Sequence, residues 1–298
     1  MSNLYDFVNI IGYGYVGGAI GYLCKQNNVP YCTYDVLKKD EVESVKNFND
    51  ISSLIKHSED TNEHNFYFIC VPTPPRDDTG ECDTSIVEHV LDQLFCETTR
   101  ATSVIIKSTV KPGTSRILNN KYGKRLNIVF CPEFLREVSY KDAIYSAKFV
   151  LFGIDENQKN LINDLKDLFT NYLYKHKYTT NDKNLESPFE FYFKTFEECE
   201  LFKYTLNTFF ATKITFFNEI YELCNTIGVD YQNLKSLFKL DKRIGDYGTV
   251  VPGMDGFGYT RSCLPKEIRA LIKLQEELGL SNDLASCVDK RNDYFRSK

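Results

Sequence analysis

Apolar residues change their period once along the chain. Up to about residue 154 they come in short blocks: FVNII (7–11), VPYCTY (29–34), FYFICV (66–71), SVIIKS (103–108), IVF (128–130) and KFVLFGI (148–154). Blocks of this length, rich in β-branched and aromatic residues and closed by Gly, Pro or polar clusters, predict buried strands. Between them the spacing turns helical in GAIGYLCKQ (18–26), in a segment opened by a Ser85-Ile86-Val87-Glu88 capping box and running to about Phe95, after the Lys111-Pro112-Gly113-Thr114 turn, and in 155–169. Strands alternating with helices predict an α/β fold with a doubly wound, Rossmann-like parallel sheet, in which 148–154 is the last strand. Residues 40–65 are polar and read as helical or irregular, and 178–187 reads as a surface excursion.

From residue 195 to 227 the pattern is different. This stretch has no Gly or Pro, and its apolar residues recur at steps of three and four around more than one face, which predicts one long helix buried on several sides. About 33 residues at 1.5 Å each give ~50 Å, more than a small domain is wide. The helix therefore spans two domains, 1–192 and a smaller all-α domain 193–298, and is suited to pair with a second copy of itself. One polar line runs along it: Glu200, Lys203 and Asn207. It reads either as a solvated edge with a Glu200–Lys203 ion pair or as a pair of donors, Lys203 and Asn207, aimed into a cleft.

Composition narrows the class. With 36 Lys and Arg against 41 Asp and Glu, a net charge of −5 supplies no basic field for nucleic acid. No apolar run reaches membrane-spanning length and MSNLYDF lacks the features of a signal peptide, so a cytoplasmic protein with no membrane partner is expected. Ten cysteines without a CxxC read as mostly small buried thiols, and four scattered histidines argue against a metal site.

Candidate chemistry begins at Gly12-Tyr13-Gly14-Tyr15-Val16-Gly17, between the first strand and first helix. Gly12 makes the tight turn, Gly14 admits a pyrophosphate close to the backbone, and Gly17 lets helix pack on strand, with the helix N-terminus facing the phosphates. Asp35 follows 18 residues after Gly17, at the end of the second strand, where a carboxylate accepts from a ribose and repels a 2′-phosphate. NAD is favoured over NADP. Val71-Pro72-Thr73 forms a rigid loop at a strand's carboxyl end, where ligands sit in such sheets. Glu133 and Glu137 stand four apart after Pro132; if Pro132 starts a helix both face one way, and otherwise they belong to a surface turn with Arg136. Cys263 lies in a polar, glycine-rich loop ahead of a helix starting near Pro265, with Lys266 close by. It reads as a small buried thiol or, in those positive surroundings, as a nucleophile.

These pieces together resemble the UDP-glucose/GDP-mannose 6-dehydrogenase family, most closely its UDP-glucose members. IGYGYVG (11–17), FICVPTP (68–74), IIKSTVKPGT (105–114), CPEFLRE (131–137), ELFKYTLNTFFATKITFFNEIYELC (200–224), DKRIG (241–245) and SCLPKE (262–267) occur in the family's order. The resemblance implies an NAD-dependent, four-electron oxidation of a nucleotide sugar at C6. Cys263 is then the thiol that adds to the aldehyde, giving a thiohemiacetal and then a thioester that water cleaves. It makes Lys203 and Asn207 the oxyanion donors, Glu137 the base with Thr109 positioning a water, Glu133 an assisting carboxylate, and Glu267 the group that orients thiol or water. Cofactor contacts fall to Gly12, Gly14, Tyr15, Val16, Gly17 and Asp35, with Val71, Pro72, Thr73, Thr109 and Lys266. Substrate contacts fall to Phe134, Leu135, Arg136, Gly258 and Arg243, the last in many members reaching across a dimer built on the long helix.

The sequence departs from the family pattern in three ways. Thr260 and Arg261 replace two glycines ahead of the thiol, which strains the site if those positions need positive φ. Glu267 replaces Asp. The chain stops at Lys298, without the family's usual C-terminal nucleotide-sugar-binding domain. Two other readings therefore stay open: a catalytically impaired relative that binds NAD or a nucleotide sugar or partners a full-length enzyme, and a β-hydroxyacid-type dehydrogenase that needs no cysteine.

Overall fold

The structure, a computed structural model, describes residues 8–37, 46–76, 82–135, 139–179, 189–260 and 263–298. They fall into two compact units, the first within Met1–Pro74 and Asp83–Lys203, the second within Pro75–Cys82 and Tyr204–Lys298.

In the first unit β1 (Val8–Ile11) leads into α1 (Tyr15–Gln26), then β2 (Tyr31–Tyr34), β3 (Lys46–Phe48), α2 (Ile51–Thr61), β4 (His64–Ile69), α3 (Ser85–Glu97) and β5 (Ala101–Ile106). Next come α4 (Thr114–Tyr122), β6 (Leu126–Phe130), α5 (Tyr140–Tyr145), β7 (Phe149–Gly153), α6 (Leu161–Asp167), α7 (His176–Thr179) and β8 (Glu190–Lys194). The strands form one sheet in the order β3-β2-β1-β4-β5-β6-β7-β8. It is parallel from β3 to β6; β7 meets β6 antiparallel at the single pair Phe130–Gly153, and β8 runs parallel to β7.

Strand alternation sends side chains to two cores. Phe66 and Phe68 pack with Ile20 and Leu23 of α1 and Leu165 of α6. Tyr67 and Ile69 pack on the other face with Leu54 of α2, Leu91 of α3 and Leu118 of α4. Because β1 and β4 are buried along their whole length, both read as continuous apolar blocks, as strands covered on two faces must.

Four expectations change. Residues 148–154 hold β7 but not the last strand. In β8, Glu190-Phe191-Tyr192-Phe193-Lys194 alternates exposed and half-buried positions, so no apolar block announces it. Residues 155–169 are not one helix: a 3₁₀ turn at Glu156–Gln158 precedes α6, and a π-helical segment, Leu168–Leu173, follows it. The helix α3 begins after Thr84 rather than Ser85, and Glu88 accepts from the Thr84 hydroxyl at 3.0 Å while Asp83 accepts from Ser85 N. Residues 131–135 form no helix, so Pro132 starts none there. The polar excursion lies outside the described residues from 180 to 188, and Arg136, Glu137 and Arg261 lie outside them too.

The long helix is α8 (Phe196–Ile227), 32 residues that begin in the first unit and continue into the second. The second unit adds α9 (Tyr231–Leu237), α10 (Cys263–Glu277) and α11 (Asp283–Arg296). Ala211 of α8 packs there with Ile268 of α10 and Val288 of α11, and Phe217 and Cys224 pack with Tyr231 and Val251. Among the described residues no helix is long and apolar enough to cross a membrane.

Candidate functional site

The turn between β1 and α1 is shaped by what its glycines lack. Gly12 has φ +89°, and a Cβ there would lie 2.7 Å from the Cys70 backbone, while one at Gly17 would lie 2.0 Å from the Gly12 oxygen. Gly14, the N-cap of α1, is different: a Cβ there meets nothing within 4 Å, and the first turn of α1 carries no acidic residue. The two packed glycines bring strand and helix together, and the open one leaves a path to the first-turn N–H groups of α1, which such a helix cannot satisfy itself. Asp35, just after β2, accepts from Tyr13 N at 2.5 Å and from Leu37 N at 2.8 Å. Its carboxylate is thereby fixed beside the turn. The open backbone at Gly14 and the fixed Asp35 carboxylate have the chemistry that a dinucleotide cradle needs.

The loops at the carboxyl ends of β4, β5 and β6 are tied to one another. Thr73 donates to the Thr109 carbonyl at 2.7 Å, and Ser108 to the Val71 carbonyl at 2.7 Å. One residue before Ser108, the buried Lys107 amine bonds the Glu133 carboxylate at 2.9 Å, the Cys131 carbonyl at 3.2 Å and the Cys131 thiol at 3.5 Å. Burial works against the Lys107 charge, but Cys131 and Glu133 outweigh it and raise the amine above its ordinary pKa. The other Glu133 oxygen accepts from Phe134 N at 2.9 Å. Phe134 stacks edge-on against Phe202 of α8, and Leu135 is half-buried against the first core.

The polar line of α8 reaches these loops, but not by the expected ion pair. Glu200 is fully buried and accepts from Gly113 N at 2.6 Å and Ser115 N at 2.8 Å, at the start of α4. Burial raises its pKa, against the lowering effect of those bonds. Lys203 donates to the main-chain oxygen of Glu133, with its amine 5.5 Å from the Phe134 ring centroid. A carboxylate with two backbone N–H groups in reach has no need of a lysine one turn away, and a lysine with a buried carbonyl in reach is satisfied elsewhere.

In the second unit Cys263 is half-buried and opens α10, so its sulfur stands at a helix N-terminus. One turn on, the buried Glu267 accepts from Asn207 Nδ2 at 2.7 Å, and the half-buried Lys266 precedes it. The approach to the thiol is pinned by two asparagines that sequence reasoning missed. Asn218 of α8 accepts from Gly258 N at 3.0 Å, and Asn292 of α11 accepts from Tyr259 N at 2.7 Å and donates to the Tyr259 carbonyl. Gly258 has φ +71°, and a Cβ there would lie 2.5 Å from Asn292. Thr260 has no positive φ, the sole such non-glycine among the described residues being Asn28. The strain expected from losing a glycine is absent at Thr260, whose hydroxyl bonds Asp255 at 3.3 Å. Arg243 is exposed and held by Asp241 at 2.9 Å.

Six of the ten cysteines are buried, two half-buried and two exposed, all free. Among the described residues no His, Cys, Asp and Glu side chains gather as a metal cluster.

A doubly wound sheet with this glycine turn and acidic residue defines a dinucleotide-binding α/β domain. Comparison with known proteins narrows the class. Residues 38–173 match the NAD binding domain of the UDP-glucose/GDP-mannose dehydrogenase family, and 197–294 match its central domain. The UDP-glucose 6-dehydrogenase of Pseudomonas aeruginosa is 32% identical over 234 residues, 76% of this chain and 48% of that protein; that of Rickettsia conorii is 33% identical over 230 residues, with the same coverage. A UDP-glucose dehydrogenase structure from Pyrobaculum islandicum superposes with a TM-score of 0.77 at 24% identity, covering 99% of this chain and 69% of that one. A Mycobacterium tuberculosis 3-hydroxyisobutyrate dehydrogenase gives 0.72 at 13% identity, covering 98% and 94%. At such identities the two structures speak for the fold alone. The chain belongs to the UDP-glucose/GDP-mannose dehydrogenase family, and its cofactor is NAD. It spans about half the length of the curated relatives it matches.

Proposed function

We propose that the chain carries out the NAD-dependent, four-electron oxidation of a nucleotide sugar, UDP-glucose to UDP-glucuronate, with Cys263 as the nucleophile. The observation that carries this reading is the Asn207–Glu267 hydrogen bond, which ties α8 to the first turn of the helix that Cys263 opens. One N–H of the amide holds Glu267, and the amide stands four residues from Lys203 on the same helix.

NAD supplies the hydride acceptor for both oxidations. The chain's own residues do the rest. The Cys263 thiolate adds to the aldehyde carbon, and the oxygen that takes up the charge is stabilised by the Lys203 ammonium and the Asn207 amide. Glu137 takes the alcohol proton through a water that Thr109 positions, and Glu133 assists. Glu267 orients the thiol and later the water that cleaves the thioester, releasing the carboxylate and the thiol. Gly12, Gly14, Gly17 and Asp35 hold the cofactor; Phe134, Leu135, Arg136 and Gly258 contact the sugar nucleotide.

We further propose a homodimer through α8. Phe209, Phe216 and Leu223 repeat at seven residues with Ile220 and Ile227 four beyond the last two, the seam of a helix that pairs with another. Lys213 holds the matching place after Phe209, and its amine turns to the Ile244 and Gly245 carbonyls, beside Arg243. That fixes the base of a loop whose exposed arginine, paired with Asp241 in the single chain, would exchange that partner for a substrate held by the second copy.

The test is stoichiometric. With NAD in excess, two NADH are expected per UDP-glucose consumed. NAD binding without NADH from any UDP- or GDP-sugar would instead favour a non-catalytic relative. One NADH per substrate, with Cys263→Ala fully active, would favour a β-hydroxyacid-type dehydrogenase.

A further inference from the structure

The Lys107 amine has no part in the proposed chemistry, yet it is buried and engaged by three polar groups. It is 3% exposed at its side chain and meets Glu133 and Cys131 together. Glu133 is also where Lys203 arrives, at the main-chain oxygen rather than the carboxylate. In a desolvated site an ammonium and a carboxylate within reach attract one another more strongly than an ammonium and a neutral carbonyl. The arrangement therefore needs something that keeps the carboxylate occupied.

We propose that Lys107 is a positioning residue that holds the Glu133 carboxylate and thereby leaves Lys203 on the Glu133 main-chain oxygen. The inference deepens the dehydrogenase reading and rests on it for its kinetic consequence. Three features support it. Lys107 is anchored independently, by the Cys131 carbonyl at the end of β6, so it does not follow movements of α8. Both Glu133 oxygens are taken, one by Lys107 at 2.9 Å and one by Phe134 N at 2.9 Å. The pair borders a cavity of about 30 Å³ whose other walls include Ile20, Ile144, Phe169 and Tyr174, room for about one water.

The experiment uses Lys107→Met, which keeps an unbranched side chain one atom shorter and loses the charge, and Lys107→Gln, which retains a donor for the Cys131 carbonyl if the methionine variant folds poorly. In a crystal structure of either, Lys203 Nζ is expected to move to within about 3 Å of the Glu133 carboxylate. Kinetically, kcat is expected to fall about 100-fold with the KM for NAD unchanged. On a Glu133→Gln background the same substitution should alter kcat by less than about two-fold. A merely structural lysine would cost the same on both backgrounds. Equal losses, or Lys203 still on the main-chain oxygen in the variant structure, would overturn the proposal. Should the unaltered chain oxidise no nucleotide sugar, the functional reading fails, while the variant structure still decides the role of Lys107.

Discussion

The two ends of α8 use the same kind of sequence for opposite purposes. In its first two turns, within the first unit, Phe196, Cys199 and Glu200 are 0% exposed, and only Leu201 and Phe202 of the large apolar side chains there stay in part open, at 47% and 42%. Further along, within the second unit, Phe209 is 58%, Phe216 53%, Leu223 52% and Ile227 62% exposed. Folding has buried one face of the first end completely and left the second with an apolar stripe, repeated every seven residues, that chain-internal packing does not cover. A polar residue at the first end therefore positions something, and an apolar residue at the second end asks for a partner.

The largest expected effect lies at the buried end. Glu200→Ala strands two backbone N–H groups at the start of α4 and is expected to cost about 3 kcal/mol of stability in denaturant unfolding. The pH dependence follows from its raised pKa. A carboxyl that binds its proton more tightly in the folded state gives stability that is fully present below the unfolded value of ~4.3 and is lost as pH rises through the folded one. The stability difference between the unaltered chain and Glu200→Gln should thus shrink as pH rises from about 4 and then level off. A difference that grows with pH would contradict the assignment. The effect at the exposed end is smaller for the monomer and visible only in assembly. Phe216→Glu is expected to change unfolding stability of the monomer by less than ~1 kcal/mol while converting a dimer to a monomer in sedimentation. A dimer that survives it is not built on the stripe.

How much of this could be read in the sequence differs between elements for physical reasons. FYFICV and FVNII announce strands because both faces of a parallel sheet are covered, whereas β8 alternates and β3 has only three residues. The spacing of Lys203 and Asn207 puts them on one face of α8, but not their partners. Lys203 meets a main-chain oxygen, which no residue type marks, and Asn207 meets Glu267 from 60 positions away. The ion pair expected between Glu200 and Lys203 assumed a solvated helix face, and burial replaced it with backbone donors. Lys107 hides inside SVIIKS as one polar residue at the end of a strand. Asn218 had a signal, since it stands eleven residues, about three helical turns, after Asn207; Asn292 had none. Thr260 in place of a glycine looked costly, but its φ is not positive and the backbone bears the substitution without strain.

The most direct test of the proposed chemistry is product formation by Cys263→Ala with UDP-glucose and NAD, measured as UDP-glucuronate beside NAD affinity and thermal midpoint. The expected result is no acid above background, with cofactor binding and folding as in the unaltered chain. Acid formed at the unaltered rate by a protein without that thiol would contradict the role given to Cys263.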